Sequence, residues 1–130
     1  MTPLEFAESL VAAFAASDAE RYFAHFDPDA TFLFHDTPGR IESRAGYEAL
    51  WAEWEHEAAF RVLSCRSTGQ RVQEYADFAV FSHDVHTVRI LDGLQDEVYE
   101  RETIVLRRTG DTWTCVHEHL APDPARTTAS

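Results

Sequence analysis

Glu100-Arg101-Glu102-Thr103-Ile104-Val105-Leu106-Arg107-Arg108-Thr109-Gly110-Asp111-Thr112-Trp113-Thr114-Cys115-Val116-His117-Glu118-His119-Leu120-Ala121-Pro122 is the stretch that decides the fold. Two alternating runs flank Thr109-Gly110-Asp111, and alternation around a short Gly turn predicts a β-hairpin. Successive side chains of a strand point to opposite faces. Unbroken alternation therefore puts Trp113, Cys115, His117 and His119 on one face and Glu118 on the other. By the same count Arg101, Thr103 and Val105 neighbour the Trp113 to His119 face, and Glu102 turns away.

Working back along the chain, Phe78 to Leu91 and Phe60 to about Glu74 read as two more strands, with Asp92-Gly93 as a turn. Ahead of them the period changes. Thr2-Pro3-Leu4-Glu5 is a helix start, with Thr as N-cap, Pro at the first position and Glu at the third. Leu4, Ala7, Leu10, Val11 and Phe14 then share one helical face. Ser17-Asp18-Ala19-Glu20 opens a short helix carrying Tyr22 and Phe23, which Asp27-Pro28-Asp29 ends. Ala30 to Asp36 reads as a strand, Pro38-Gly39 as a turn and Arg40 to Glu42 as a short edge strand. Ser43 caps a third helix to about Ala58, with Tyr47, Leu50, Trp51, Trp54 and Ala58 in its apolar stripe. The expectation is one α+β domain over residues 1–122: a cone-shaped, curved antiparallel sheet with three N-terminal-half helices on its concave face, followed by a flexible polar tail, 123–130.

The pattern Arg-x-Thr-x-Val from Arg101, a Gly turn, then Trp113, His117 and His119 resembles the closing hairpin of the SnoaL-like branch of the nuclear transport factor 2-like superfamily. The element order resembles that superfamily over nearly the whole chain. The resemblance implies a pocket inside the cone and a homodimer through the open sheet face. Ketosteroid isomerases, polyketide cyclases, scytalone dehydratase and non-catalytic assembly domains share the fold. In ketosteroid isomerases the segment Asp-Ala-Thr-x-x-Asp carries the general base. Here Asp29-Ala30-Thr31 is followed by Phe32, Leu33 and Phe34, so the base position falls on Phe34. Asp36, two residues on, could take the role if the strand is offset.

Composition narrows the classes. The formal net charge is -12, the wrong sign for a nucleic-acid binder or for an anionic membrane surface. All 11 basic residues are Arg, so no side-chain amine is present to form a Schiff base. No apolar run approaches the ~20 residues of a membrane span, and from an opening without a basic segment or an apolar stretch no signal segment is expected. Cys65 and Cys115 form no C-x-x-C motif and fit a reduced, cytoplasmic setting as ordinary buried thiols.

The candidate catalytic residues are Asp36, His117 and His119. Histidine can shuttle protons near neutrality, and a carboxylate beside Phe32 and Phe34 would have its pKa raised by desolvation. The candidate ligand contacts are Tyr22, Phe34, His35, Trp51, Trp54, Arg101 and Trp113. Of His83 and His86, on opposite faces of one strand, at most one can join the pocket, and alternation does not choose between them. His117, His119 and a third ligand such as His35, Asp36 or His83 could in principle chelate a metal, but the family generally works without one; no metal or other cofactor is expected. Two readings follow. One is an isomerase, cyclase or dehydratase without cofactor, acting by general acid/base catalysis on a small apolar or aromatic ligand. The other is a non-catalytic ligand-binding or dimerisation module.

Overall fold

The computed structural model describes residues 1–126. Three helices, α1 (Pro3–Ala15), α2 (Ala19–Phe23) and α3 (Arg44–Ala58), and five strands, β1 (Phe26–Phe34), β2 (Arg61–Glu74), β3 (Phe78–Leu91), β4 (Leu94–Thr109) and β5 (Thr112–Pro122), make up the chain. The strands form one curved sheet in the order β1-β5-β4-β3-β2. The last four strands are the expected antiparallel meander. β1 departs from the all-antiparallel expectation: it joins the far edge parallel to β5, Thr31 opposite His117 and Phe34 opposite Leu120.

Local chemistry accounts for the element ends. The Thr2 hydroxyl accepts from the Glu5 N–H at 3.1 Å, and the Glu5 carboxylate accepts from the Thr2 N–H at 2.8 Å, closing the capping box of α1. Asp18, rather than Ser17, caps α2 through the Arg21 N–H. The Ser17 hydroxyl instead accepts from Val62 N–H at 3.1 Å and ties the helices to β2. Ser43 caps α3 as expected. At the β3–β4 turn Asp92 and Gly93 both take positive φ, 55° and 76°, as a two-residue type I′ hairpin needs. Asp27-Pro28-Asp29 does not separate helix from strand; β1 begins before it, at Phe26.

The helices cover the concave face, α1 lying over β2, β3 and β5 and α3 over β1. Beneath them is an aromatic core in which Tyr22, Phe26, Phe32, Tyr47, Trp51 and Phe60 are buried. Edge-to-face contacts recur through it, such as Phe32 with Tyr47 at 4.7 Å and Trp51 with Phe60 at 5.0 Å. Leu4, expected on the buried face of α1, is exposed, and Phe6 takes its place.

The polar tail is described as far as Arg126. Asp123 N–H donates to the Tyr99 carbonyl at 3.1 Å, and the Arg126 guanidinium sits 5.3 Å from the Tyr99 ring, so this part is held against β4. The remainder of the expected tail lies outside the described residues. No helix among the described residues is long and apolar enough to cross a membrane.

Candidate functional site

A single residue in β5 decides what faces the cone. Leu106 pairs with Cys115 and Val105 with His117, which leaves Val116 unpaired as a β-bulge. A bulge reverses every later side chain. Trp113 and Cys115 face the helices, but beyond Val116 it is Glu118 and Leu120 that do so. Glu118 is 1% exposed and Glu102, on the adjacent β4, 8%. The expectation that both face away is corrected: the bulge turns Glu118 inward, and Glu102 is inward because it shares the β4 face of Leu106, which pairs with Cys115 ahead of the bulge.

His117 and His119, expected inward, point to the opposite face. Nδ1 of His117 bonds the Thr31 hydroxyl at 2.8 Å and His119 is exposed. Burial lowers the His117 pKa, and its neighbour His119 adds to the effect. Arg101, also expected inward, is exposed on that same outer face, in a shallow groove with Thr103 and His119.

Inside, His83 of β3, Glu102 of β4 and Glu118 of β5 stand side by side across the sheet centre, beneath Tyr22 of α2 and Tyr47 of α3. Glu118 and Glu102 are hydrogen-bonded to each other. His83 Nε2 lies 2.7 Å from Glu102 Oε1, and His83 Nδ1 lies 2.5 Å from the Ser67 hydroxyl of β2. The Tyr22 hydroxyl donates to Glu118 Oε1 at 3.1 Å and meets the Tyr47 hydroxyl, also at 3.1 Å. Tyr22 has only one proton to give, so Tyr47 donates to Tyr22. One chain of hydrogen bonds thus runs from Tyr47 through Tyr22, Glu118 and Glu102 to His83 and Ser67.

The electrostatics follow from burial. Glu118 is pushed well above the carboxylate range by desolvation, and the Glu102 charge beside it acts in the same direction. Desolvation lifts Glu102 to about 7, opposed by the hydrogen bond it receives from Glu118. Burial lowers His83 to about 4, so its imidazole is neutral at pH 7. Burial thus keeps a proton on the pair, shared in the hydrogen bond between the two carboxyls. When Glu102 is ionised it accepts from His83 Nε2–H as well, and the bare Nδ1 accepts from Ser67.

This row of groups floors a cavity of about 470 Å³. Its apolar walls include Leu10, Val11 and Phe14 from α1, Trp54 from α3, and Phe34, Phe60 and Val85. Among the expected ligand contacts, Tyr22, Phe34 and Trp54 line it. Trp51 is packed in the core, and Trp113 is buried elsewhere with its Nε1–H on the Met1 carbonyl at 3.2 Å. His35 is exposed, its Nε2 2.5 Å from Glu100. Asp36 reaches the rim of the cavity but follows the end of β1 and is exposed, so Phe32 and Phe34 do not desolvate it. His83, not His86, enters the cone; His86 stacks on Tyr99 at 4.5 Å on the other face. Cys65, a free thiol raised to about 12 by burial, and Cys115, also free, complete the inner surface of the sheet. Among the described residues no three His, Cys, Asp or Glu side chains are grouped to hold a metal.

The comparisons with known proteins agree with this fold. A family model described as a SnoaL-like domain matches residues 4–123. A solved nuclear transport factor 2-like protein of unknown function in nutrient uptake from Rhodospirillum rubrum superposes with a TM-score of 0.80 at 19% identity, covering 95% of this chain and 99% of the other. A nuclear transport factor 2-like superfamily protein from Salmonella enterica gives 0.77 at 18%, covering 95% and 89%. A ketosteroid isomerase-like protein from Erwinia carotovora atroseptica gives 0.75 at 15%, covering 92% of each. At these identities the likeness is one of fold. No protein of curated function matches the sequence.

Proposed function

The chain belongs to the SnoaL-like family, and on that footing we propose that its cone binds a small, mostly apolar molecule and moves a proton on it without a cofactor. The observation that carries the reading is the hydrogen-bonded Glu102–Glu118 pair at the floor of an aromatic-walled cavity. A general base works best with a pKa near the working pH, and Glu102 is lifted to about 7. Donors from Glu118 and His83 converge on its carboxylate and fix its orientation. Glu102 takes a proton from carbon next to a carbonyl. Tyr47, which lines the same cavity, releases Tyr22 and donates its hydroxyl proton to the oxygen that gains charge. Return of the proton to the same or another carbon completes an exchange or an isomerisation.

The test is deuterium exchange. Aryl ketones incubated with the protein in D2O are followed by proton NMR for loss of the α-proton signal. Exchange above the buffer rate that disappears in Glu102→Gln supports the reading. Absence of exchange despite measurable ligand binding favours the non-catalytic binding module instead.

Assembly is part of the same proposal. Two copies pair through the outer sheet face, where Leu33, Val80, Val88, Ile90 and Val105 are only half-buried. Sedimentation equilibrium should give twice the chain mass; the mass of a single chain at micromolar concentration contradicts this.

A further inference from the structure

The cone carries acid that nothing inside it neutralises. Its lining includes the carboxyl groups of Asp36, Asp92, Glu100, Glu102 and Glu118 and a single guanidinium, that of Arg89. Arg89 is engaged by Asp96 at 2.9 and 3.4 Å. Glu100 is bonded by the His35 imidazole from the exposed side and feels the Arg89 charge, which Asp96 also draws on. The two deepest carboxyls, Glu102 and Glu118, have each other, a neutral histidine and a tyrosine hydroxyl.

A buried carboxylate is stable only when paired or protonated. The fold holds this pair by protonation and supplies no counter-charge. A ligand that brings its own positive charge provides the missing partner, whereas a carboxylate or phosphate ester adds to the repulsion. The opposite wall is apolar, so the rest of the ligand must be apolar too. We infer that the cone selects a small alkylamine with an aromatic or alicyclic body, its ammonium seated between Glu102 and Glu118 and its hydrocarbon body against Phe14, Phe34 and Trp54. The Tyr22 and Tyr47 rings beside the carboxyls add aromatic faces to the cation site. At ~30 Å³ per water-sized group, the 470 Å³ cavity holds a molecule of ten to fifteen heavy atoms on an order-of-magnitude count.

The inference rests on the cone being a ligand site, not on the proton-transfer step. Binding exchanges the carboxyl proton for the ammonium, so affinity rises with pH between 6 and 8. The titratable groups that line the cavity with the pair are Tyr22 from α2, Tyr47 from α3, Cys65 from β2, His83 and Arg89 from β3, Asp92 from the β3–β4 turn and Glu100 from β4. α1 contributes only apolar side chains, and Asp36 stands at the mouth.

The experiment is calorimetric titration at pH 8 and 0.15 M salt with three probes of one shape: 4-phenylbutylamine, 4-phenylbutan-1-ol and 4-phenylbutyrate. The amine should bind at least tenfold tighter than the alcohol, and the butyrate at least tenfold weaker. In Glu102→Gln and in Glu118→Gln the amine should lose its lead while the alcohol still binds, which also shows that the variants are folded. An alcohol that matches the amine in the wild type overturns the inference and leaves the pocket reading standing. An amine lead that survives in both variants assigns the effect to surface charge and also overturns it. Failure of all three probes at millimolar concentration removes the pocket reading together with the inference. If neither variant folds, the order of the three probes on the wild type decides.

Discussion

Glu102→Gln should make the protein more stable at pH 8 than the wild type, and the gain should vanish in acid. Burial raises Glu102 from 4.5 to about 7 in the folded state. An acid with a raised folded pKa binds more protons folded than unfolded between those two values. Its contribution is therefore intact below pH 4.5 and is lost as pH rises to 7. At about 1.36 kcal/mol per pH unit the loss is about 3 kcal/mol, an upper figure because the site relaxes. Glutamine keeps the shape and a hydrogen-bonding head but cannot ionise. The quantity to follow is the difference in urea-unfolding free energy between variant and wild type at half-unit steps from pH 4 to 8, read by tryptophan fluorescence. Taking the difference removes the titrations the two proteins share. The variant's advantage should grow by about 3 kcal/mol across the window and then level off. A flat difference, or one that grows toward acid, would refute the placement of an uncompensated carboxyl at the cone floor.

His83 gives the mirror image. Burial lowers it to about 4, so wild-type stability owed to this residue is present above 6.5 and is lost as pH falls toward 4. His83→Gln should accordingly gain on the wild type only in acid, measured by the same unfolding series. In nitrogen-15 NMR at pH 8, where Glu102 is ionised, His83 should be neutral with its proton on Nε2; a proton on Nδ1 there would contradict the hydrogen-bond chain. Tyr22→Phe leaves Glu118 without its hydroxyl donor and should cost about 1–3 kcal/mol in urea unfolding; a change under a few tenths would mean the contact is idle. Neither thiol should react with Ellman's reagent at pH 8 in the folded protein, since burial raises both Cys65 and Cys115, and both should react in urea.

Most element boundaries were legible because their signals are local. The Thr2 and Ser43 caps, the Asp92-Gly93 turn and the strand Phe78–Leu91 all depend on neighbours a few residues away. The parallel pairing of β1 was not legible, since register across the chain leaves no mark in short windows. The inward face was misread for two physical reasons: the hairpin pairs Leu106 with Cys115, so Glu102 shares the Cys115 face by register alone, and β5 then breaks its own alternation. Alternation holds only until a bulge, and Val116 carries no sign of being one. That single unpaired residue exchanged His117 and His119 for Glu118. The shift compounds with composition: Glu is among the residues least often buried, so Glu102 and Glu118 read as surface charges. Aromatic residues at helical or strand spacing report that they face inward, as Tyr22, Phe34, Trp51, Trp54 and Trp113 do, but not which of them border the cavity and which only fill the core. The His35-Asp36 pair, a plausible dipeptide on paper, is exposed because β1 ends at Phe34.

The parallel seam between β1 and β5 sets an order of assembly during synthesis. Thr31 bonds His117, 86 residues downstream. A ribosome releasing the chain exposes β1, with Phe32 and Phe34, long before residues 112–122 emerge to cover its edge. An unpaired apolar strand is a hazard for association with other nascent chains. The same final strand delivers Glu118, so the carboxyl pair forms only at closure. A translational pause shortly before β5 would leave the sheet both sticky and without its acid pair, whereas a chain released promptly acquires its seal and its chemistry in one event.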